Sequence, residues 1–221
     1  MAAWLDTLVN GLKFPKMMHW SNLDVRFVRP VRWLVALLDD KVLPFAFAEV
    51  TAGNTTRGHR FLSEGTVVIP CAADYEAVLA KESVIVDPAK RKSMIEEQVT
   101  ALAKQEGGRA IMDPDLLEEV IFLVEYPTAL CGHFDEAFLQ LPKEAVITPM
   151  KEHQRYFPVV RSDGSLLPLF ITVRNGGEAH LQVVAHGNER VLRARLSDAA
   201  FFFAEDRKHT LEERKQKLGQ V

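Results

Sequence analysis

Cations and aromatic side chains stand together in the last third of this 221-residue sequence. Lys151, His153 and Arg155 are followed at once by Tyr156 and Phe157. Such a mixture can contact phosphate, hydrogen-bond a base edge and stack on a base, which is chemistry suited to RNA. The alternative is structural: the aromatics begin a strand and enter the core, while Lys151 and Arg155 form a solvated i, i+4 pair. His153 alone is more typical of a structural histidine than of a general base.

A second cluster of donors occupies residues 53–61, where two glycines and two threonines accompany Arg57, His59 and Arg60. Backbone amides in such a loop can hold an anion, and guanidinium groups can bind phosphate in a bidentate manner. The stretch therefore predicts a phosphate or RNA contact. A polar connection whose arginines pair with nearby carboxylates is the alternative.

A third cluster lies in a predicted helix after residue 187, where Arg190 and Arg193 share a face. Glu189 and Arg193 have i, i+4 spacing, which explains part of the charge as pairing within the helix. Arg190 has no acidic neighbour at helical spacing on its C-terminal side. Its face either contacts RNA or bridges domains. A further basic cluster surrounds Trp33, with its arginines at positions 26, 29 and 32.

The same helix carries one apolar stripe made of Leu192, Leu196, Ala199 and Phe203. Two further aromatic residues, Phe201 and Phe202, fall outside the stripe. We therefore expect more than one face of this helix to be covered by the fold or by a partner.

No catalytic signature and no predicted metal site accompany these clusters. The sequence contains neither a paired CxxC nor two histidines at i, i+4, and its two cysteines, Cys71 and Cys131, suit reduced thiols. The net charge of −3 means that contact with RNA must come from local patches. Because no apolar run approaches the ~20 residues of a membrane span and no signal peptide is recognisable, we expect a cytoplasmic protein.

Elements of both kinds alternate along the chain, which predicts an α+β (mixed α/β) fold with layered sheet and helices. Helices are expected at 4–12, 72–81, 87–105, 113–124 and 142–153, and strands at 31–38, 42–50, 66–69, 84–86, 109–112, 128–131, 156–160 and 166–173. The strands at 31–38 and 42–50 should form a hairpin, as should those at 156–160 and 166–173. Glycines at 176 and 177 mark a boundary between domains 1–175 and 176–221, and the helical region after it is expected to be interrupted, or to start a second time, at Gly187 and Asn188.

Four segments carry a resemblance to a known family. They are residues 27–38 (FVRPVRWLVALL), 52–61 (AGNTTRGHRF), 150–159 (MKEHQRYFPV) and 187–206 (GNERVLRARLSDAAFFFAED). In order and together, they resemble an internal portion of the β subunit of the bacterial heterotetrameric glycyl-tRNA synthetase.

The resemblance implies a domain similar to the B3/B4 module of phenylalanyl-tRNA synthetase over 1–175, and the opening of an HD-like helical domain over 176–221. It implies partnership with the α subunit in an α2β2 heterotetramer and with tRNA-Gly, and with neither DNA nor a membrane. In that family ATP and Mg²⁺ belong to the α-subunit active site, so this portion would bind no cofactor and perform no catalysis itself.

The expected function is therefore tRNA-Gly recognition and subunit scaffolding within an ATP-dependent glycine–tRNA ligase. The candidate RNA-binding residues are Arg57, His59, Arg60, Lys151, His153, Arg155, Arg190 and Arg193. Two alternatives are an editing module that hydrolyses mischarged tRNA, suggested by His59 and His153, and a purely structural module.

Overall fold

The computed structural model describes residues 2–219, without the side chains of residues 2, 3 and 217. The chain divides into two compact units, the first ending at Asp87 and the second beginning at Pro88. The junction predicted at 175–176 therefore lies inside the second unit, because the helix that follows it packs Leu192 and Leu196 into that unit's core. The assignment of these segments to B3/B4-like and HD-like domains stays a prediction.

Short strands build the first unit. Its elements are α1 (Ala2–Gly11), β1 (Leu34–Val35), β2 (Leu37–Leu38), β3 (Lys41–Val42), β4 (Ala46–Phe47), β5 (Val50–Gly53), β6 (Thr55–Thr56), β7 (Val67–Val68), a 3-10 turn (Ala72–Asp74) and α2 (Tyr75–Lys81). The predicted hairpin at residues 39–40 is confirmed, since β2 and β3 pair antiparallel. A small core forms where Phe45, Phe47 and Ala52 pack together, with Leu5 and Val9 of α1 against them.

Three predictions for the first unit are wrong. The continuous strand at 42–50 is broken because Ala48 and Glu49 take left-handed conformations (φ 52° and 65°) and turn β4 back onto β5. Likewise, 31–38 forms only two short strands. The strand at 84–86 is absent: the backbone N–H of Val84 donates to the carbonyl of Leu79 (2.9 Å) and closes the end of α2.

The second unit holds the longer elements. They are α3 (Pro88–Gln105), β8 (Arg109–Ala110), α4 (Pro114–Leu123), β9 (Pro127–His133), a 3-10 helix (Glu136–Gln140), α5 (Lys143–Thr148), a π-helix (Pro149–His153), β10 (Phe157–Val160), β11 (Leu166–Asn175), α6 (Leu181–Asp206) and α7 (Leu211–Leu218). The predicted α3, α4 and β10–β11 hairpin are confirmed. The predicted interruption at Gly187 is wrong, because α6 runs through it; one glycine costs a helix only about 1 kcal/mol.

A four-stranded antiparallel sheet in the order β8-β10-β11-β9 organises this unit. Phe157 and Ile171 face the buried apolar residues of α3 and α4, whereas Phe170 faces α5, the π-helix and α6. Gly132 lies opposite Phe170, and a Cβ there would come within 2.4 Å of the ring. Helices on both faces of a sheet confirm the predicted mixed α/β class. Among residues 2–219, no helix combines the length and apolarity needed to span a membrane.

Candidate nucleic-acid interface

The loop that follows β6 brings Arg57 over an aromatic ring. The Arg57 guanidinium lies 5.6 Å from the centre of the Trp33 ring, which is 46% exposed. Trp33 is held by its indole N–H, which donates to the Thr56 hydroxyl at 3.2 Å. The two side chains line a cavity of about 180 Å³ together with Arg32, Thr55, Thr56 and Thr66. This cavity presents cations, hydroxyls and one stacking surface.

A second pair of the same kind stands close by in sequence. The Arg60 guanidinium lies 5.7 Å from the ring centre of Phe61, which is 79% exposed. The Phe61 ring is therefore open to solvent beside a guanidinium group. The loop thus offers two cation–aromatic pairs to solvent.

His59 does not belong to this surface. Its side chain is fully buried, its Nδ1 accepts the Phe61 backbone N–H (3.2 Å), and its own backbone N–H donates to the Glu82 carbonyl (2.9 Å). The carbonyl of His59 accepts backbone N–H groups from Leu62 (3.2 Å) and Ser63 (3.0 Å). The prediction that His59 contacts RNA is therefore corrected: the residue shapes the loop that displays Arg57 and Arg60.

Most side chains of residues 151–157 are buried or form ion pairs within the second unit. Tyr156 and Phe157 are buried, at 3% and 0% exposure, which confirms the structural alternative for the aromatics. The cations pair with carboxylates of α4 and its cap rather than standing free in solvent. The ammonium of Lys151 lies 2.7 Å from the Asp113 carboxylate, and the guanidinium of Arg155 lies 2.6 Å from Glu119. Of the predicted RNA-binding set in this segment, His153 is the exposed member.

The ion pair at the start of α4 shifts the pKa of both partners. The Lys151 ammonium, followed by the Leu116 backbone N–H, holds the pKa of Asp113 below its ordinary value. Asp113 in turn raises the pKa of Lys151. Both groups are therefore charged at neutral pH, and the Lys151 ammonium is paired with Asp113 in the folded chain.

Arg190 and Arg193 lie exposed on α6, and their contact with RNA stays a prediction. The predicted pair of Arg193 with Glu189 is not formed: Glu189 accepts the backbone N–H of His133 at 2.9 Å. Across residues 2–219, no ion pair engages Arg190 or Arg193. Arg193 lines a cavity of about 370 Å³ beside the last residues of β9.

The structure also gathers a group of side chains that the sequence did not predict to meet. Glu106, Cys131 and His133 place one ligand atom each within 4.8 Å of one another. The signal available in the sequence was weak, a Cys-x-His spacing at the end of a strand. Glu106 joins it only through the packing of α3 against β9.

A family model described as glycyl-tRNA synthetase beta subunit matches residues 1–221. The chain belongs to this family. The resemblance predicted from the four segments is thereby confirmed.

Several curated relatives carry the name glycine–tRNA ligase beta subunit. Those of Moorella thermoacetica and Clostridioides difficile are 54% and 50% identical to the chain over 217 residues. That of Listeria monocytogenes serovar 1/2a is 49% identical over 217 residues. Each match covers 98% of the chain and 31% of the relative. The chain thus spans about a third of the length of these glycine–tRNA ligase beta subunits.

Proposed function

We propose that this chain is part of the β subunit of an ATP-dependent glycine–tRNA ligase and contributes to recognition of tRNA-Gly. The proposal includes assembly with an α subunit into an α2β2 heterotetramer in the cytoplasm. Glycine, ATP and Mg²⁺ would bind in the α subunit, and this chain would supply no catalytic residue. Family membership and the relatives' names support the ligase part of the proposal.

The observation that supports tRNA contact is the pair of exposed cation–aromatic contacts around the loop at 57–61. Each pair, Arg57 with Trp33 and Arg60 with Phe61, combines a guanidinium that can donate hydrogen bonds to phosphate with a ring on which a base can stack. Base–aromatic stacking contributes ~1–3 kcal/mol per base, independently of salt screening of phosphate contacts. Because the net charge of the chain is −3, these local groups rather than a general positive field must attract the RNA.

Filter binding of tRNA-Gly across a salt series tests this proposal. The double change Arg57→Ala and Arg60→Ala should weaken binding and reduce the salt slope by about 1 for every phosphate that the variant no longer neutralises. Trp33→Ala should weaken binding by about 5- to 150-fold at all salt concentrations, because the stacking surface is removed. Arg109→Ala, an exposed arginine of β8, is the matched control and should leave affinity unchanged. Equal affinity of the double variant and the control would overturn the proposed interaction.

Aminoacylation with the α subunit gives a second measurement. The double variant should raise KM for tRNA-Gly while leaving KM for glycine and ATP unaltered, because the small substrates bind elsewhere in this proposal. An increase in KM for all three substrates would indicate a general loss of structure instead.

A scaffolding contribution is favoured by Phe201 and Phe202, which are 59% and 62% exposed on α6. Phe201→Asp in the complete β subunit should weaken its assembly, measured by size-exclusion chromatography with the α subunit. Unchanged assembly and unchanged thermal stability would remove this contribution. The editing alternative is not favoured, since His59, one of the two histidines that suggested it, is buried.

A further inference from the structure

Three side chains, each of a different metal-ligand type, lie together at one edge of the sheet in the second unit. Cys131 and His133 lie two positions apart on β9, an edge strand, and Glu106 follows the last residue of α3. The thiol sulfur, an imidazole nitrogen and a carboxylate oxygen lie within 4.8 Å of one another. The His133 Nε2 atom is 3.8 Å from the Glu106 carboxylate. These distances place the three donors around one common point.

A second carboxylate lies near the other ring nitrogen of the same imidazole. Glu189 of α6 accepts the backbone N–H of His133 at 2.9 Å, and the same oxygen lies 4.0 Å from the His133 Nδ1 atom. The two ring nitrogens thus face different carboxylates. A histidine that binds a metal through one nitrogen commonly donates its other ring N–H to a carboxylate, which fixes the ring orientation.

We propose that Glu106, Cys131 and His133 form a binding site for a divalent transition metal of the zinc class, with Glu189 orienting the imidazole. A thiolate and an imidazole select zinc-like ions over Mg²⁺ and Ca²⁺, which prefer oxygen ligands only. Three protein ligands leave the fourth tetrahedral position to water. The proposal does not rest on the proposed tRNA contact at residues 57–61 and requires no ligase activity.

Two carboxylates, those of Glu106 and Glu189, lie within 4.0 Å of the His133 ring and place negative charge around the three donors. When the metal binds, the S–H bond is broken, the proton passes to solvent and a sulfur–metal bond forms. The thiolate and the Glu106 carboxylate then balance the two positive charges of the ion.

Metal binding would connect elements that are far apart in sequence. Glu106 lies at the end of α3, and Glu189 attaches α6 to the same histidine. Because the unfolded chain cannot hold these groups together, the ion should bind the native state preferentially and raise its Tm. A structural role for the ion is thus expected.

Cobalt titration of the chelator-treated, dialysed protein tests the site. Co²⁺ should produce a thiolate-to-metal charge-transfer band, Zn²⁺ should abolish the band by displacing Co²⁺, and either ion should raise Tm. Cys131→Ser should lose the band, whereas Cys71→Ser, which alters the cysteine of the first unit, should keep it. Glu189→Gln should weaken Co²⁺ binding by about 10- to 100-fold without removing the band.

Two results would overturn the proposal. One is the absence of a charge-transfer band and of any Tm shift in the parent protein. The other is a band of equal strength in Cys131→Ser, with circular dichroism showing that the variant is folded. His133→Ala provides an independent variant, because it removes a ligand at an exposed position and should abolish binding while leaving Tm in chelator near that of the parent.

Discussion

Asp113 holds two segments together with one carboxylate. One oxygen accepts the backbone N–H groups of Asp115 (3.1 Å) and Leu116 (3.0 Å), which caps α4, and the other lies 2.7 Å from Lys151 of the π-helix. The Asp113 and Lys151 side chains are 26% and 30% exposed, so solvent screens their attraction. We expect the cap to contribute about 1 kcal/mol and to exceed the contribution of the ion pair.

This carboxylate predicts a specific loss of stability in acid. The folded-state pKa of Asp113 lies below the unfolded value of about 3.9, so its contribution is present above that pH and is lost as pH falls through the folded pKa. At pH 7, Asp113→Ala should lower the free energy of unfolding by ~0.5–2 kcal/mol, and Asp113→Asn by less, because asparagine still caps. Urea denaturation at pH 7 and in acid measures both effects. A parent and an alanine variant with the same pH dependence would contradict them.

At the scale of single elements, α6 shows how one helix serves two environments. Leu192 and Leu196 are fully buried against the sheet, while Val191 is 44% exposed. Ala199 and Phe203, which continue the predicted stripe, are half-buried, so the stripe is confirmed and becomes more exposed toward the C-terminal end. The middle of the helix therefore carries its attachment to the core of the second unit.

Truncating a buried side chain of α6 should lower the free energy of unfolding much more than truncating an exposed one. Leu196→Ala should lower the free energy of unfolding by ~2–5 kcal/mol, because it leaves a cavity in a fully packed site. Val191→Ala, one position before Leu192, is the control and should change stability by less than about 0.5 kcal/mol. Equilibrium unfolding in urea measures the free energy of unfolding of both variants, and equal m-values would make the two values comparable. Similar losses for both variants would mean that α6 is not anchored through Leu196.

Across the whole molecule, the apolar interior is unevenly divided. The second unit contains two large clusters, one on each face of its sheet, and these hold most of the fully buried side chains. The main cluster of the first unit has three buried residues supported by half-buried neighbours. Burial of apolar area is the dominant stabilising term in folding, so the two units should differ in intrinsic stability.

Separate expression of the two units tests this difference. Residues 88–221 should unfold cooperatively on heating, because each face of the sheet is covered within that unit. Residues 1–87 should have a lower Tm or no cooperative transition. Circular dichroism melts measure both, with Phe170→Ala in the larger unit as a destabilised reference. A cooperative transition in residues 1–87 and none in residues 88–221 would contradict the expectation.

Local signals in the sequence determined much of the second unit. Asp113 and Pro114 start α4, glycines end α3, and the turn at 162–165 joins β10 to β11, because caps and turns depend on neighbouring residues. Four ordered segments also indicated the family, which the comparison over residues 1–221 confirms. In contrast, the turn at Ala48 and Glu49 required left-handed conformations from residues that rarely adopt them, so no local signal announced it.

Tertiary structure alone decided which polar groups remain available. Lys151 and Arg155 find carboxylates at the cap and on the surface of α4, and His59 is enclosed, whereas Arg57 and Arg60 stay beside exposed rings. The meeting of Cys131 with Glu106 likewise depends on the packing of α3 against β9. Composition and spacing identify residues able to bind RNA or metal. Their actual partners come from distant parts of the chain, and only the packing of helices onto the sheet brings those parts together.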